Sequence, residues 1–171
     1  MPQRKNTVLL YYGYMTYRCD ASEAIPMKYR KFGDCYYLRL DRDDELMSAI
    51  LDMCSREGVH AATFSGIGGC GDAEIQVFYP ERGAFETERV EGLLELVNVT
   101  GNVISDDSGQ LHSHAHAQFA YRDEAGEQRI AAGHLKATTV RYTAEIELRP
   151  VIGGTIGAVL DAETGTYFWN L

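Results

Sequence analysis

From Met27 onward the apolar residues follow two periods, one helical and one of alternate positions. The helical period begins after Asp41–Asp44, whose acidic side chains suit a helix N-terminus because the first backbone N–H groups there lack partners. Gly58 stands where a C-terminal cap is expected. These positions predict one amphipathic helix, preceded by a short strand at residues 35–40. The predicted buried face of the helix consists of Leu46, Ile50, Leu51, Met53 and Cys54.

β-Strands are predicted for most of the chain after the helix, because apolar and polar residues alternate there between short turn sequences. Short turns favour antiparallel pairing of consecutive strands. The glycine-rich sequence at 66–72 lacks the Lys-Ser/Thr pair of a phosphate-binding loop, so we interpret it as a tight turn between two strands. Gly133-His134 is predicted to lie in a loop. The predicted strands cover residues 61–67, 73–79, 86–91, 93–104, 111–121 and 138–149, and residues 158–171 are predicted to form a hairpin.

Residues 1–26 show neither period, although they contain several tyrosines and two prolines. Two interpretations remain open. The segment is either an extension that precedes a natural start at Met27, or an N-terminal arm that packs on a neighbouring subunit. In both cases residues 27–171 are expected to form the domain, and their number suits one domain with a complete core.

The composition is that of an ordinary globular protein, with 45% hydrophobic and 24% charged residues. The net charge of −9 argues against nucleic-acid binding, which depends largely on Lys and Arg displacing counterions from phosphates. The basic residues form no run beyond Arg4-Lys5 and Lys28–Lys31. The charge therefore gives DNA binding little support.

The four cysteines lie far apart and form no CxxC pair, which argues against a cysteine zinc site and against a secreted disulfide scaffold. Reduced thiols packed as small hydrophobic groups are expected at Cys19, Cys35, Cys54 and Cys70. The apolar patch Val8–Tyr12 is too short for a transmembrane helix, and no clean signal cleavage site follows it. We expect a cytoplasmic protein with no membrane partner.

Three histidines occupy alternate positions in the sequence Leu111-His112-Ser113-His114-Ala115-His116. Alternate residues of a strand point to the same face with Cα atoms about 7 Å apart, so two neighbouring imidazoles can converge on one metal ion whereas all three cannot without distortion. A site therefore needs two adjacent members of the row and one histidine from elsewhere. His134 is the best candidate, because Gly133 lets its backbone approach closely. Three protein ligands with an open fourth position are typical of catalytic zinc sites.

Glu95 lies in a largely apolar stretch, where a buried carboxylate is costly unless it is paired. It is a candidate general base or a hydrogen-bond partner for a metal-ligating histidine. The alternative is that Glu95 points to solvent on an alternating strand.

The order of these sequences resembles the PPC domain, the plants-and-prokaryotes-conserved domain that also occurs in plant AT-hook nuclear proteins. The similarity covers residues 27–171. The matching stretches are Tyr37-Leu38-Arg39-Leu40, Ser65-Gly66-Ile67-Gly68, Glu95-Leu96 with Thr100-Gly101-Asn102, Leu111-His112-Ser113-His114, Gly133-His134-Leu135 and Thr143-Ala144-Glu145-Ile146.

The resemblance implies an α+β fold with a mainly antiparallel sheet and one main packed helix, assembling as a homotrimer. It also implies a divalent metal, with zinc as the expected ion, held by His112, His114 and His134. His116 is the alternate ligand, and Ala132 replaces the first glycine of the usual Gly-Gly-His. Bacterial members are commonly labelled DNA-binding, but the plant proteins carry a separate Arg-Gly-Arg hook that this chain lacks.

Three functions are therefore compared. The first is a small trimeric metal-binding protein of this family that acts in regulation or protein interaction. The second is a metal-dependent enzyme, a hydrolase or lyase, in which the metal activates water for attack on a small-molecule ligand and Glu95 acts as the base. The third is direct DNA binding, which rests on family analogy alone.

Overall fold

The computed structural model describes residues 10–11, 14–16, 28–161 and 167–171. Within these ranges the chain forms eleven β-strands and one α-helix. In chain order the elements are β1 (Leu10–Tyr11), β2 (Tyr14–Thr16), β3 (Lys28–Phe32), β4 (Cys35–Leu40), α1 (Leu46–Glu57), β5 (Ala61–Tyr79), β6 (Ala84–Ser105), β7 (Leu111–Arg122), β8 (Gln128–Ala137), β9 (Val140–Pro150), β10 (Gly157–Leu160) and β11 (Tyr167–Asn170).

The long strands form a sheet that closes on itself. β5 pairs with β6, β6 with β7, β7 with β8, and β8 again with β5, in every case antiparallel. From this closed circuit, β9, β4 and β3 extend the sheet beyond β5. Among the described strands one pairing is parallel, that of Gly157 in β10 with Ser105 in β6. The predicted combination of a mainly antiparallel sheet and one helix is confirmed.

The helix α1 is confirmed, with a later start than the acidic residues suggested. Glu45 is its N-cap, and its carboxylate accepts hydrogen bonds from the backbone N–H groups of Met47 and Ser48. Asp44 instead accepts a hydrogen bond from the Asp41 N–H in the preceding turn. Gly58 ends the helix in the left-handed conformation, with φ of 63°.

The core is one buried cluster that joins the apolar face of α1 to alternate residues of the strands. In β7 these residues are Ala115, Ala117 and Phe119, so the even-numbered residues between them point away from the core. We call this opposite side of the closed circuit the outer face. On it lie His116 and Gln118, both exposed, and the partly buried His114.

The predicted turn at residues 66–72 is wrong, because β5 runs through these glycines without interruption. β9 lies so close to β5 that a Cβ atom at Gly68 would be 2.7 Å from the Thr143 carbonyl oxygen. The glycines therefore mark a close approach of two strands, which sequence alone does not distinguish from a turn.

Two further strand predictions are corrected. The predicted strands at 86–91 and 93–104 are one strand, β6, which passes through Gly92 with a φ of 121°. The predicted loop at Gly133-His134 lies inside β8. The predicted C-terminal hairpin is confirmed by the pairing of β10 with β11, although its turn lies outside the described residues.

Within the described residues, Cys35, Cys54 and Cys70 are free and buried, as expected of reduced thiols, while Cys19 lies outside them. Burial raises the pKa of the Cys54 thiol to about 12. Most of the predicted extension or arm at 1–26 also lies outside the described residues, but β2 pairs with β7 of the same chain through Thr16 and His112. The helix found among the described residues is too short and polar to cross a membrane.

Candidate metal centre

Three histidines meet on the outer face of the closed circuit. One ring nitrogen from each of His114, His116 and His134 can be chosen so that all three lie within 4.8 Å of one another. The ring centroids are 4.3 Å apart for His116 and His134, 4.9 Å for His114 and His134, and 5.2 Å for His114 and His116. The His114 Nε2 atom is 3.1 Å from the His134 Nδ1 atom, so one of these nitrogens donates a hydrogen bond to the other.

Strand register brings the three rings together. His116 in β7 lies directly opposite His134 in β8, and His114 is the next residue of β7 on the same face. The same cross-strand row continues through Thr100 in β6 on one side and Gln76 in β5 on the other. The cluster is therefore built on paired strands.

Gly133 allows β8 to reach this register. A Cβ atom at this position would lie 2.6 Å from the backbone carbonyl oxygen of Gln76, which cannot move aside without breaking the β5–β8 ladder. Glycine therefore places His134 against β5, although within a strand and not in the predicted loop.

His112, which the sequence analysis placed in the ligand set, lies apart from this cluster. It is buried, with 1% of its surface exposed, and its Nε2 atom is 2.8 Å from the Asp106 Oδ2 atom. Its ring packs against the Tyr167 ring, with the centroids 3.9 Å apart and the planes tilted by 30°. Because His112 lies four residues before His116, it is about 13 Å away along the strand, so the structure groups His116 with His114 and His134 in its place.

The surroundings of the cluster favour the neutral form of two imidazoles, those of His114 and His134. Burial first, and then the nearby His116 and His114 rings, lower the pKa of His134 to about 4. Burial, followed by the charge of His116, also lowers the pKa of His114. Neutral imidazole is the form that binds a metal, because its lone pair is not taken by a proton.

The donor set fits one divalent metal of borderline softness. Imidazole nitrogens suit zinc and related ions, and three protein ligands leave a tetrahedral ion one open position. His116 is exposed, so a metal ion held by these three rings would be accessible from solvent. The arrangement can thus hold a metal and present it to a further ligand.

Glu95, the candidate base, is exposed and stands on the outer face. It pairs with Ala120, which lies four residues beyond His116 in β7 and thus about 13 Å away along the strand. Within this chain the distance is too long for direct contact between Glu95 and a ligand at the three histidines. The pairing matches the alternative of a solvent-facing carboxylate on an alternating strand.

Sequence reasoning missed Phe85 and Gln76 as neighbours of the site. The Phe85 ring meets the His134 ring edge-on, with centroids 5.0 Å apart. Gln76, which faces His134 across the ladder, donates a hydrogen bond from Nε2 to the Thr87 hydroxyl. Both belong to the β5–β6 hairpin, which is remote from the histidines in sequence.

Comparisons with known proteins agree with this architecture. The model of the Plants and Prokaryotes Conserved (PCC) domain matches residues 27–152. A search of the curated proteins found no significant match.

Similar solved structures cover most of the chain. A plant- and prokaryote-conserved protein from Pyrococcus horikoshii is 28% identical, with a TM-score of 0.69 over 85% of this chain and 94% of that chain. A metal-containing protein from Archaeoglobus fulgidus is 25% identical, with a TM-score of 0.70 over 86% of this chain and all 100% of that chain. A protein from Bacteroides thetaiotaomicron, named "putative DNA binding protein", is 22% identical with a TM-score of 0.73 over 84% and 96% of the two chains, which shows the fold alone.

Proposed function

The chain belongs to the Plants and Prokaryotes Conserved domain family, and on that basis we propose that it is a metal-binding protein that holds one zinc ion at His114, His116 and His134. The observation that carries the proposal is the convergence of three imidazole nitrogens within 4.8 Å of one another on the outer face. The name of the Archaeoglobus relative, a metal-containing protein, supports it.

Zinc is proposed over other divalent ions because of the ligand number and the open geometry. Three imidazoles and one open position match a tetrahedral zinc site of the type that binds an exchangeable ligand. Because the pKa of His134 is lowered, its imidazole is already neutral at neutral pH and loses no proton when it binds the metal.

We also propose that the protein acts as a homotrimer in regulation or protein interaction. Five large apolar side chains on the sheet surface are each at least half exposed, which is the kind of patch that another protein surface covers. Glu95 is paired with Gly69 and Ala120 in the middle of this region, and Ala120 in turn faces Ile130. The five side chains are Ile67, Leu93, Val97, Ile130 and Tyr142.

The open position favours a second candidate, a metal-dependent enzyme acting on a small molecule. A zinc ion held by the three histidines would supply Lewis-acid chemistry. Glu95 is about 13 Å along the sheet from the histidines of its own protomer, so the base would come from another residue or another subunit. A hydrolase or lyase activity that disappears with His134→Ala but survives in Glu95→Gln is the result that this candidate predicts.

Direct DNA binding has support from the names of relatives and little from charge. The net charge is −9. In addition, most of the described lysines and arginines form an ion pair with a carboxylate, as Lys28 and Arg39 do with Asp41. We expect no shift of duplex DNA at low salt, where electrostatic binding is strongest. A salt-sensitive shift would favour the DNA-binding function.

Metal analysis of the purified protein tests the main proposal. We expect about one zinc per chain, lost in His114→Ala and in His134→Ala, and retained in His60→Ala, which removes an exposed histidine outside the cluster. Circular dichroism shows whether each variant keeps its fold. Unchanged zinc content in both cluster variants would contradict the proposal.

A further inference from the structure

The metal centre has an aromatic wall on one side. Phe85 meets His134 edge-on at 5.0 Å, and Phe78 packs against Phe85 at 5.2 Å. Phe78 and Phe85 are directly paired in the β5–β6 ladder, two residues beyond the pair of Gln76 and Thr87. Phe78 is about half exposed, so the wall is open to a ligand that lies over the histidines.

A charged group lies on the opposite side. Glu74 is two residues before Gln76, the partner of His134, and so points to the same face about 7 Å away. Its carboxylate faces Lys136 Nζ at 3.4 Å and Arg89 at 3.3 Å. Lys136 follows His134 by two residues in β8, and its ammonium group carries three N–H donors. Glu74 is the partner of Lys136 in the ion pairs of the described residues, which leaves N–H donors for a second acceptor.

We propose that the metal centre takes a small carboxylate with an apolar, ring-sized tail. The carboxylate binds at the open metal position beside Lys136, and the tail lies against Phe85 and Phe78. This inference rests on the metal site proposed above and adds the chemical class of its ligand. A carboxylate fits because it can accept a charge-assisted hydrogen bond from an ammonium group while it ligates a metal. The aromatic wall favours a ring over a methyl group.

Cobalt-loaded protein provides a direct readout, because the visible absorption of cobalt changes when its coordination changes. The probes are benzoate, benzamide as the uncharged analogue, and acetate as the carboxylate without a ring. We expect benzoate to shift the cobalt spectrum with saturation, acetate to bind several-fold more weakly, and benzamide to give no shift at the same concentrations.

Substitutions assign the two contacts. Lys136→Ala should weaken benzoate binding about tenfold or more. Lys28→Ala, which removes an exposed lysine of β3, should leave the affinity for benzoate unchanged. Glu74→Gln should tighten benzoate binding, because the Glu74 carboxylate then no longer competes for the Lys136 ammonium group. Phe85→Leu should reduce the preference for benzoate over acetate, and the matched change Phe32→Leu in β3 should not.

The outcomes separate this inference from the proposed function. If cobalt does not bind, the metal site itself is wrong. If cobalt binds and its spectrum is unaffected by benzoate, the ligand class is wrong and the metal site stands. Equal affinity for benzoate and benzamide, or tight benzoate binding in Lys136→Ala with an unaltered starting spectrum, would also overturn it.

Discussion

His116 and His134 lie directly opposite each other in β7 and β8, with ring centroids 4.3 Å apart. This one cross-strand pair decides which member of the histidine row completes the cluster. His114 lies two residues from His116 on the same face, which is close enough for it to belong to the cluster. His112 lies a further two residues along the strand and is too far away.

Substitution of His116 and of His112 should therefore have different effects on metal binding. We expect His116→Ala to abolish stoichiometric zinc binding, because two imidazoles alone leave the ion too few protein ligands. His112→Gln, which keeps a side-chain N–H for Asp106, should bind one zinc per chain. Isothermal titration with zinc checks both. Loss of zinc in a folded His112→Gln protein together with retention in His116→Ala would reverse the assignment.

Asp106 pairs with the buried His112, and the next hairpin contains an exposed counterpart of this pair. Asp106 accepts hydrogen bonds from the N–H groups of Ser108 and Gln110 and from His112. Asp123 does the same with Ala125, Glu127 and Arg129. The sixth residue after the aspartate is buried in the first case, with 1% of the His112 side chain exposed, and open in the second, with 55% of Arg129 exposed.

Asp106→Ala should therefore destabilise the protein more than Asp123→Ala, by about 1–3 kcal/mol, because it leaves a buried imidazole N–H without a partner. The free energy of unfolding in urea at pH 7 measures the difference. Equal losses for the two variants would show that the turn hydrogen bonds alone account for the effect.

The same carboxylate gives a dependence on strong acid. Burial alone would raise the pKa of Asp106, but hydrogen bonds from the Ser108 hydroxyl, the His112 ring and two backbone N–H groups lower it to about 2. Since the unfolded value is 3.8, this stabilisation is fully present above pH 3.8 and is lost as the pH falls through 2. Asp106→Asn should flatten the unfolding free energy between these values, as acid titrations in urea can show. An unchanged slope would contradict the assignment.

The histidine cluster predicts a second pH effect in the metal-free protein. The pKa of His134 falls from 6.5 in the unfolded chain to about 4 in the folded protein, and that of His114 falls in the same direction. As the pH drops from 6.5 towards 4, the unfolded chain takes up protons that the folded protein does not, so the free energy of unfolding decreases.

Replacement of His134 by Gln should reduce this loss of stability between pH 7 and pH 4.5, measured by urea unfolding in the presence of a chelator. His60→Gln serves as the control, since His60 is exposed and outside the cluster. If the free energy of unfolding of His134→Gln depends on pH in the same way as that of the wild-type protein, folding does not lower the pKa of His134.

Gly133 should tolerate no side chain. Gly133→Ala places a Cβ atom 2.6 Å from the Gln76 carbonyl oxygen, and its φ of 157° is unfavourable for L-residues. We expect a loss of at least about 1–3 kcal/mol in stability and weaker zinc binding, because the clash moves His134 away from His116. Gly154→Ala, which meets no atom within 4 Å, is the control. Thermal unfolding and zinc titration compare the two variants. Equal melting temperatures and equal zinc affinities for Gly133→Ala and Gly154→Ala would contradict the predicted clash.

Local patterns predicted the helix and most strands because their signals are contained in a few neighbouring residues. Gly58 as the cap of α1 and the alternation in β7 are examples. The prediction at the glycines of β5 was wrong, because sequence alone does not distinguish a glycine in a turn from a glycine that allows β9 to lie close to β5.

The candidate site was predictable in kind and not in full detail. The row of histidines and Gly133-His134 indicated where the imidazoles would come from, but the pairing of His116 with His134 depends on the register between two strands. Register follows from contacts across the whole sheet, including the bulges in β5–β6 and β6–β7, and no short stretch of sequence records it.

A crystal structure of the zinc-loaded protein, with data collected on both sides of the zinc absorption edge, tests the metal centre most directly. We predict one anomalous peak per chain, about 2.0–2.1 Å from a ring nitrogen of each of His114, His116 and His134. A peak bound to His112 and Asp106, or no peak at the three histidines in fully loaded crystals, would contradict it.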